Sequence, residues 1–167
     1  MPSPPSAIDR RRVLTGAGML ALLAVVTPAC GSAPTPPAIS ELEAQRQRAL
    51  RDSALAAAAA AALTDPDAKA LNAALDQVSQ ERAEHARSLA AEITRTTGKP
   101  IPDDSQATAA APDGSGPTVS QVISALREAA EGAGALAVAS SGYRAGLLAS
   151  IAAACTASYA VALVTQA

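Results

Sequence analysis

The chain has 167 residues, of which 49% are hydrophobic and 17% charged, and its formal net charge at pH 7 is −2. This length is enough for one domain with a substantial core. The chain has two Tyr and no Phe or Trp, and it is rich in Ala, so the composition predicts an all-α fold with a core of Ala, Leu and Val. The slightly acidic balance argues against nucleic acid as a partner, because phosphate binding needs a basic surface.

Residues 1–29 have the pattern of a signal peptide. A basic run is followed by an apolar stretch at 16–26 and then by small residues. The paired Arg10 and Arg11, with Val13 behind them, resemble the twin-arginine export signal, which carries proteins that are already folded. An ordinary Sec signal with additional arginines is the alternative.

Cys30 follows small residues at the end of the apolar stretch and precedes Gly31 and Ser32. This arrangement resembles the lipobox of bacterial lipoproteins, in which the cysteine is acylated and becomes the first mature residue. We therefore expect Cys30 to anchor the chain to the outer face of the cytoplasmic membrane, with a soluble secreted protein as the alternative. An acylated Cys30 cannot pair with Cys155, which is then predicted to be a small buried thiol.

A Pro/Ser-rich tether at 30–39 is expected to be disordered, and residues 40–167 are expected to form an antiparallel four-helix bundle. Ser40 and Glu43 have the spacing of a capping box for the first helix. The predicted helices are 41–63, 67–97, a third that begins at Thr118 or Ser120 and ends before the break at 140–142, and 143–165.

The predicted connections differ greatly in length. Thr64, Asp65 and Pro66 form a short link, which predicts that helices one and two are antiparallel neighbours. Gly98 is expected to cap the end of helix two. Residues 99–117 are rich in Pro, Gly, Asp and Ser and are predicted to form a mobile loop. This loop either crosses the bundle or is a plain insertion.

Helix two has the clearest pattern in the chain. Its apolar residues recur at helical spacing, and this stripe is expected to face a core. The members of the stripe are Leu71, Leu75, Val78, Leu89 and Ile93. In the middle of the stripe, Arg82 and His85, the only histidine, fall on the core-facing side.

These polar residues suggest a metal or small-ligand site. Glu81 and His85 share a face, and Glu84 lies beside them, so that Glu128 from helix three could complete a site for a single ion. Helix four contains no Asp, Glu or His, which excludes a full di-iron site. The alternative is a local salt-bridged patch, with His85 hydrogen-bonded to helix one and Glu92 solvated at the edge.

The sequence contains no pattern typical of catalysis. It has no Gly-rich phosphate loop, and one histidine without an evident partner does not make a Ser–His–Asp or Cys–His system. Cys155 lies in an alanine run without a visible base. We therefore expect no catalytic residue and no cofactor beyond a possible single metal ion, and a non-enzymatic role.

The segment from Leu75 to Leu89, which contains Glu81-Arg82-Ala83-Glu84-His85-Ala86, is followed by the polar loop and an Ala-rich helical pair. Over residues 40–165 the chain resembles a family of alanine-rich exported actinobacterial proteins with a ferritin-like four-helix domain of unknown function. The resemblance implies an up-down bundle outside the cytoplasmic membrane and no tested activity.

Helix four has the length of a membrane span, and Arg144 is its only charged residue. It is composed mainly of small residues that gain little from lipid, which favours a buried bundle helix over an integral membrane protein through 143–165. The expected function is therefore binding or assembly at the cell envelope, with the membrane, an envelope protein or a second copy as partners.

Overall fold

The computed structural model describes residues 39–101 and 116–164. The predicted signal peptide with Arg10 and Arg11, the predicted acylation site Cys30, the tether up to residue 38 and the central part of the predicted loop lie outside the described residues.

The described residues form four α-helices and contain no strand, which confirms the predicted all-α class. The four helices are α1 (Ile39–Ala62), α2 (Lys69–Thr97), α3 (Val119–Val138) and α4 (Gly142–Ala157). A 3₁₀ turn, Pro66–Ala68, precedes α2, and a π-helical turn, Ser158–Ala162, continues α4.

Two helix ends have the predicted caps, and the turn before α2 is capped as well. The Asp65 side chain accepts a hydrogen bond from the backbone N–H of Asp67 and so caps the turn that leads into α2. Gly98 ends α2 with φ of 69°, a left-handed conformation that glycine adopts without strain. Thr118, rather than Ser120, caps α3 in a reciprocal capping box with Gln121.

The predicted cap of the first helix is wrong. Ser40 lies inside the first turn of α1, which already includes Ile39, so its side chain does not occupy the capping position. Glu43 does not return to the helix start; it accepts hydrogen bonds from Arg46 and Gln47 along the helix instead. The Glu43 carboxylate therefore pairs with Arg46 in the next turn instead of completing the capping box.

Contacts between the helices define their directions. Asn72 near the start of α2 donates to the Ala60 carbonyl near the end of α1, and Ser53 contacts Ser79, so α1 and α2 are antiparallel as predicted. In the π-helical turn after α4, the ring of Tyr159 faces the Arg127 guanidinium of α3, whose Cζ atom is 5.3 Å from the ring centroid.

The chain enters α3 beside the end of α1, because a Cβ atom at Gly116 would lie 2.5 Å from the Ala62 Cβ atom. The Arg48–Glu128 ion pair joins the two helices farther along, so α1 and α3 are antiparallel, and α2 and α3 run in the same direction. The chain order is therefore not the alternating up-down order that the resemblance implies. The connection from α2 to α3 joins opposite ends of α1, which are about 35 Å apart because this helix has 24 residues.

The apolar sides of all four helices meet in one core. The stripe of α2 is confirmed: Leu75, Val78, Leu89 and Ile93 are buried, and Leu71 is partly buried at the edge. Small residues of α1 and α3 complete this core, together with the largest buried side chains of the other helices. Those side chains are Leu42, Val122, Leu126, Leu148, Ile151 and Leu163.

The expectation that the fourth helix is buried holds on one side only. Leu148, Ile151 and Cys155 face the core, but only 22% of the apolar stretch within Gly142–Ala162 is buried. Among the described residues this is the one helix that is long and apolar enough to cross a membrane, judged by length and composition alone. Core helices of soluble proteins meet the same criterion.

Candidate functional site

Polar side chains hold α2 and α4 together. The backbones of α1 and α2, and those of α3 and α4, run close to each other along their lengths, whereas α2 and α4 approach closely at few positions. Two clusters of polar residues bridge this gap, one around Arg82 and one around Glu92. We call the strip between α2 and α4 that contains both clusters the polar seam.

The Arg82 cluster brings together side chains from three helices. Arg82 is only 2% exposed, and its Nη2 atom donates to Asp52 Oδ2 of α1 at 2.9 Å. Its Nη1 atom lies 3.1 Å from His85 Nδ1 and 3.3 Å from Cys155 Sγ of α4. Its Nε atom is buried and has no hydrogen-bond partner among the described residues.

The environment keeps His85 neutral. Burial lowers the pKa of His85 to about 4, and the neighbouring Arg82 cation acts in the same direction. Since the guanidinium can only donate, His85 Nδ1 accepts this hydrogen bond and the ring proton is on Nε2. Burial also raises the pKa of Asp52, and the Arg82 cation opposes this effect.

Cys155 is a buried thiol, as predicted. It is 1% exposed, and burial raises its pKa, so the group stays protonated at neutral pH. Its described hydrogen bond is with Arg82 rather than with His85. Thiol and imidazole therefore do not form a nucleophile–base pair in this cluster.

The Glu92 cluster corrects the prediction that Glu92 is a solvated charge at the helix edge. Glu92 is 1% exposed and accepts hydrogen bonds from Arg95 at 2.8 Å and from Arg144 of α4 at 3.1 Å. The hydrogen bond from Arg95 is the main reason that the pKa of Glu92 is lowered. Glu92 is buried because α4 turns its only charged residue toward α2.

The four residues predicted to hold a metal ion have different environments. Glu84 forms an exposed ion pair with Arg87 along α2, and Glu128 pairs with Arg48 of α1. Glu81 accepts from Gln77 at 2.8 Å and lies 3.5 Å from Ser158 Oγ. Of these four residues, only His85 belongs to the polar seam, through its contact with Arg82, and Glu81 lies beside it.

The residues around His85 fit a metal ion poorly. The described residues contain no group of three or more His, Cys, Asp or Glu side chains that could hold an ion. The ligand-type atoms of Asp52, His85 and Cys155 instead surround the Arg82 guanidinium, a fixed cation that would repel a second one.

The alternative prediction of a local salt-bridged patch is also only partly right. Arg82 pairs across the helix interface rather than with a glutamate of its own helix, and His85 contacts Arg82 rather than α1. Asp52 was missed as a member of the cluster. It lies three residues after Ala49 and four before Ala56, which are both buried, so helical spacing places it on the same side of α1.

Comparisons of this chain with protein family models, curated proteins and solved structures found no match. Its function is therefore argued from the arrangement of its own residues.

Proposed function

We propose that this chain is an exported, lipid-anchored four-helix bundle with a ferritin-like topology and a non-enzymatic role in binding or assembly at the cell envelope. The observation that carries the proposal is the exposed side of α4, which has no charged residue. We call this surface the α4 face. It consists of Tyr143, Gly146, Ala149, Ser150, Ala153, Thr156, Ala157, Ala160, Val161 and Val164.

An uncharged surface of this length is typical of an interaction site rather than of a solvated helix face. Charged residues occur on the exposed sides of the other three helices, for example Arg51, Arg87 and Glu131. The α4 face has Tyr143 and Val164 at its two ends, which are 66% and 58% exposed. Contiguous apolar surface of this kind marks sites of contact with proteins or membranes.

The helix directions support a ferritin-like topology. Ferritin-like folds are four-helix bundles with one long crossover connection between their helical pairs. Here α2 and α3 run in the same direction and are joined by a long connection, whereas the other two connections are short.

A binding role agrees better than catalysis with the polar seam. Within each cluster, the charged side chains form ion pairs, and the Cys155 thiol is protonated and buried. Such pairs fix the relative position of two helices but provide neither a nucleophile nor a free base.

Export and anchoring are tested by fractionating an actinobacterial host that expresses the full-length chain. We expect the chain in the membrane fraction and accessible to protease in intact cells. Cys30→Ala should release it from the membrane, and the double change Arg10→Lys and Arg11→Lys should leave it in the cytoplasm. Retention of the Cys30→Ala chain in membranes washed at high pH would contradict the lipid anchor and favour a span through α4.

The binding role is tested in the same host with a photo-crosslinking phenylalanine in place of Tyr143. We expect irradiation to join the chain to a protein through this position. The same amino acid in place of Gln80, which is exposed on α2, is the matched control and should form no comparable adduct. Absence of an adduct at residue 143 would contradict the binding role.

A further inference from the structure

We propose that the α4 face binds the α4 face of a second copy of this chain, forming a two-fold homodimer. This inference rests on the assembly role proposed above and names its partner.

The chemistry of the face favours another helix over lipid. Gly146, Ala153 and Ala160 lie along its middle, and such small residues gain little free energy from insertion into hydrocarbon. They do allow two helix backbones to approach closely, so that dispersion contacts form along the whole helix. The contacting surface of the partner must also contain no charged residue, since a charge buried against this face would find no ion-pair partner there.

The α4 face of a second copy meets this condition. The one charged residue of α4, Arg144, points away from the face and pairs with Glu92 of α2. Dimerisation therefore buries no charge from this helix. Exposed charges on the other helices, such as Glu84 and Arg87 of α2, would be desolvated if those surfaces served as the partner.

The small residues repeat in a way that suits self-association. Gly146, Ala153 and Ala160 are seven residues apart, and Ser150 and Ala157 have the same spacing. Two copies related by a two-fold axis near Ala153 would pack these rows antiparallel. The same symmetry places Tyr143 at one end of the face near the exposed Val164 of the partner subunit.

The available area predicts a weak dimer in solution. The stretch Gly142–Ala162 has 21 residues. Half the surface of a helix of this length is about 500 Å², so a pair of copies would bury about 1,000 Å², the lower limit for a specific interface. Anchoring both copies in one membrane would raise their effective concentration and favour the dimer.

The experiment uses two full-length copies with different epitope tags, expressed together, each with the photo-crosslinking phenylalanine at residue 143. We expect an adduct that carries both tags. Ala153→Glu in both copies should reduce this adduct by about tenfold or more, because a carboxylate would be buried without a partner in the interface. Ala91→Glu, at an exposed alanine of α2, is the matched control and should leave the adduct unchanged.

Circular dichroism of the purified variants checks that Ala153→Glu and Ala91→Glu have the helical content of the original chain. An adduct with a different protein would overturn the homodimer but leave the binding role in place. A mixed-tag adduct that persists in Ala153→Glu would overturn the α4 face as the interface. No adduct at all would overturn both proposals.

Discussion

Arg82 is buried almost completely, yet only two of its three side-chain nitrogen atoms have partners among the described residues. A buried cation of this kind is costly to desolvate, and the Asp52 carboxylate at 2.9 Å offsets part of the cost. Because of this cost, such a pair adds little net stability compared with apolar residues of similar volume. Its effect is to fix how α1, α2 and α4 lie against one another.

Removing one partner of the Arg82–Asp52 pair should destabilise the fold. Arg82→Met leaves Asp52 buried without its cation, so we expect the free energy of unfolding to fall by about 3 kcal/mol, the usual cost of breaking a buried pair. Replacing both residues, Arg82→Met with Asp52→Leu, should restore most of the loss. Urea denaturation measures both effects. A double variant as unstable as Arg82→Met would contradict this account of the pair.

The pKa of His85 makes stability depend on pH. The unfolded chain protonates His85 near its ordinary pKa of 6.5 and the folded chain only near 4, so between these values the unfolded state binds more protons. Stability should therefore fall as the pH drops from about 6.5 to 4. After a discount for partial exposure, the loss is about 1 to 3 kcal/mol.

The control for this prediction is His85→Asn, whose amide oxygen can still accept a hydrogen bond from Arg82. Thermal unfolding between pH 4.5 and 7 should show a much smaller slope for this variant. Glu92 has a lowered pKa, so it destabilises the fold mainly below this window. The raised pKa of Asp52 acts in the opposite direction to His85, because the folded state binds this proton more readily as the pH falls. Equal slopes for the two proteins would assign the pH dependence to groups other than His85.

Arg82 also determines what we expect of metal binding. The Arg82 guanidinium lies 3.1 Å from Nδ1 of His85, and its fixed positive charge would repel a metal ion bound to either ring nitrogen. The chain purified from cells fed iron, manganese and zinc should therefore contain no stoichiometric metal held by His85. Metal analysis without an affinity tag tests this. A near-stoichiometric metal that disappears in both Glu81→Ala and His85→Ala would establish the metal-binding alternative.

At the scale of the helices, two glycines have opposite roles. Gly132 lies inside α3, and a Cβ atom there would lie 2.8 Å from Nε2 of Gln45, the movable end of a flexible side chain. Gly142, the first residue of α4, has φ of +57°, which disfavours any residue with a Cβ atom.

Gly132→Ala should therefore stabilise the protein by about 0.5 to 1 kcal/mol, because alanine is the better helix former and Gln45 can rotate away. Gly142→Ala should destabilise it by about 1 kcal/mol, since the left-handed conformation becomes strained. Thermal unfolding of the two variants compares these effects directly. Destabilisation by Gly132→Ala would show that the position of Gln45 is fixed by its packing.

At the scale of the whole molecule, the helices are held with unequal strength. The helices α1 and α2 pack closely along their lengths, as do α3 and α4, whereas α2 and α4 approach closely at few positions and are bridged by the polar seam. We expect amide hydrogen exchange to be faster in α4 than in α2 when the chain is dilute enough to be monomeric. Equal protection of these helices would mean that the polar seam is as strong as the apolar interfaces.

Local sequence patterns predicted much of this architecture. The stripe in α2, the short link after α1, the Gly98 cap and the Thr118 cap depend on contacts between residues close in the chain, and each is found in the structure. The burial of Cys155 followed from its apolar neighbours.

Predictions that depended on distant partners were less accurate. Glu92 looked like an edge charge because its partner Arg144 comes 52 residues later, and the partner of Arg82 is Asp52, 30 residues earlier. Charge pairing across helices depends on helix direction and rotation, which hydrophobic spacing does not encode. The same reason explains why the predicted metal residues Glu84 and Glu128 pair with other side chains instead.

The amino-acid sequence by itself determined the all-α class, the positions of the four helices and the core side of α2, because helical spacing, caps and proline act over a few residues. The tertiary structure decided that α2 and α3 run in the same direction and that one side of α4 is left uncovered. It also placed the Arg82 guanidinium among the side-chain atoms that could otherwise bind a metal ion. These features depend on which helix packs against which. That choice is made by the total burial of the folded chain rather than by any local segment.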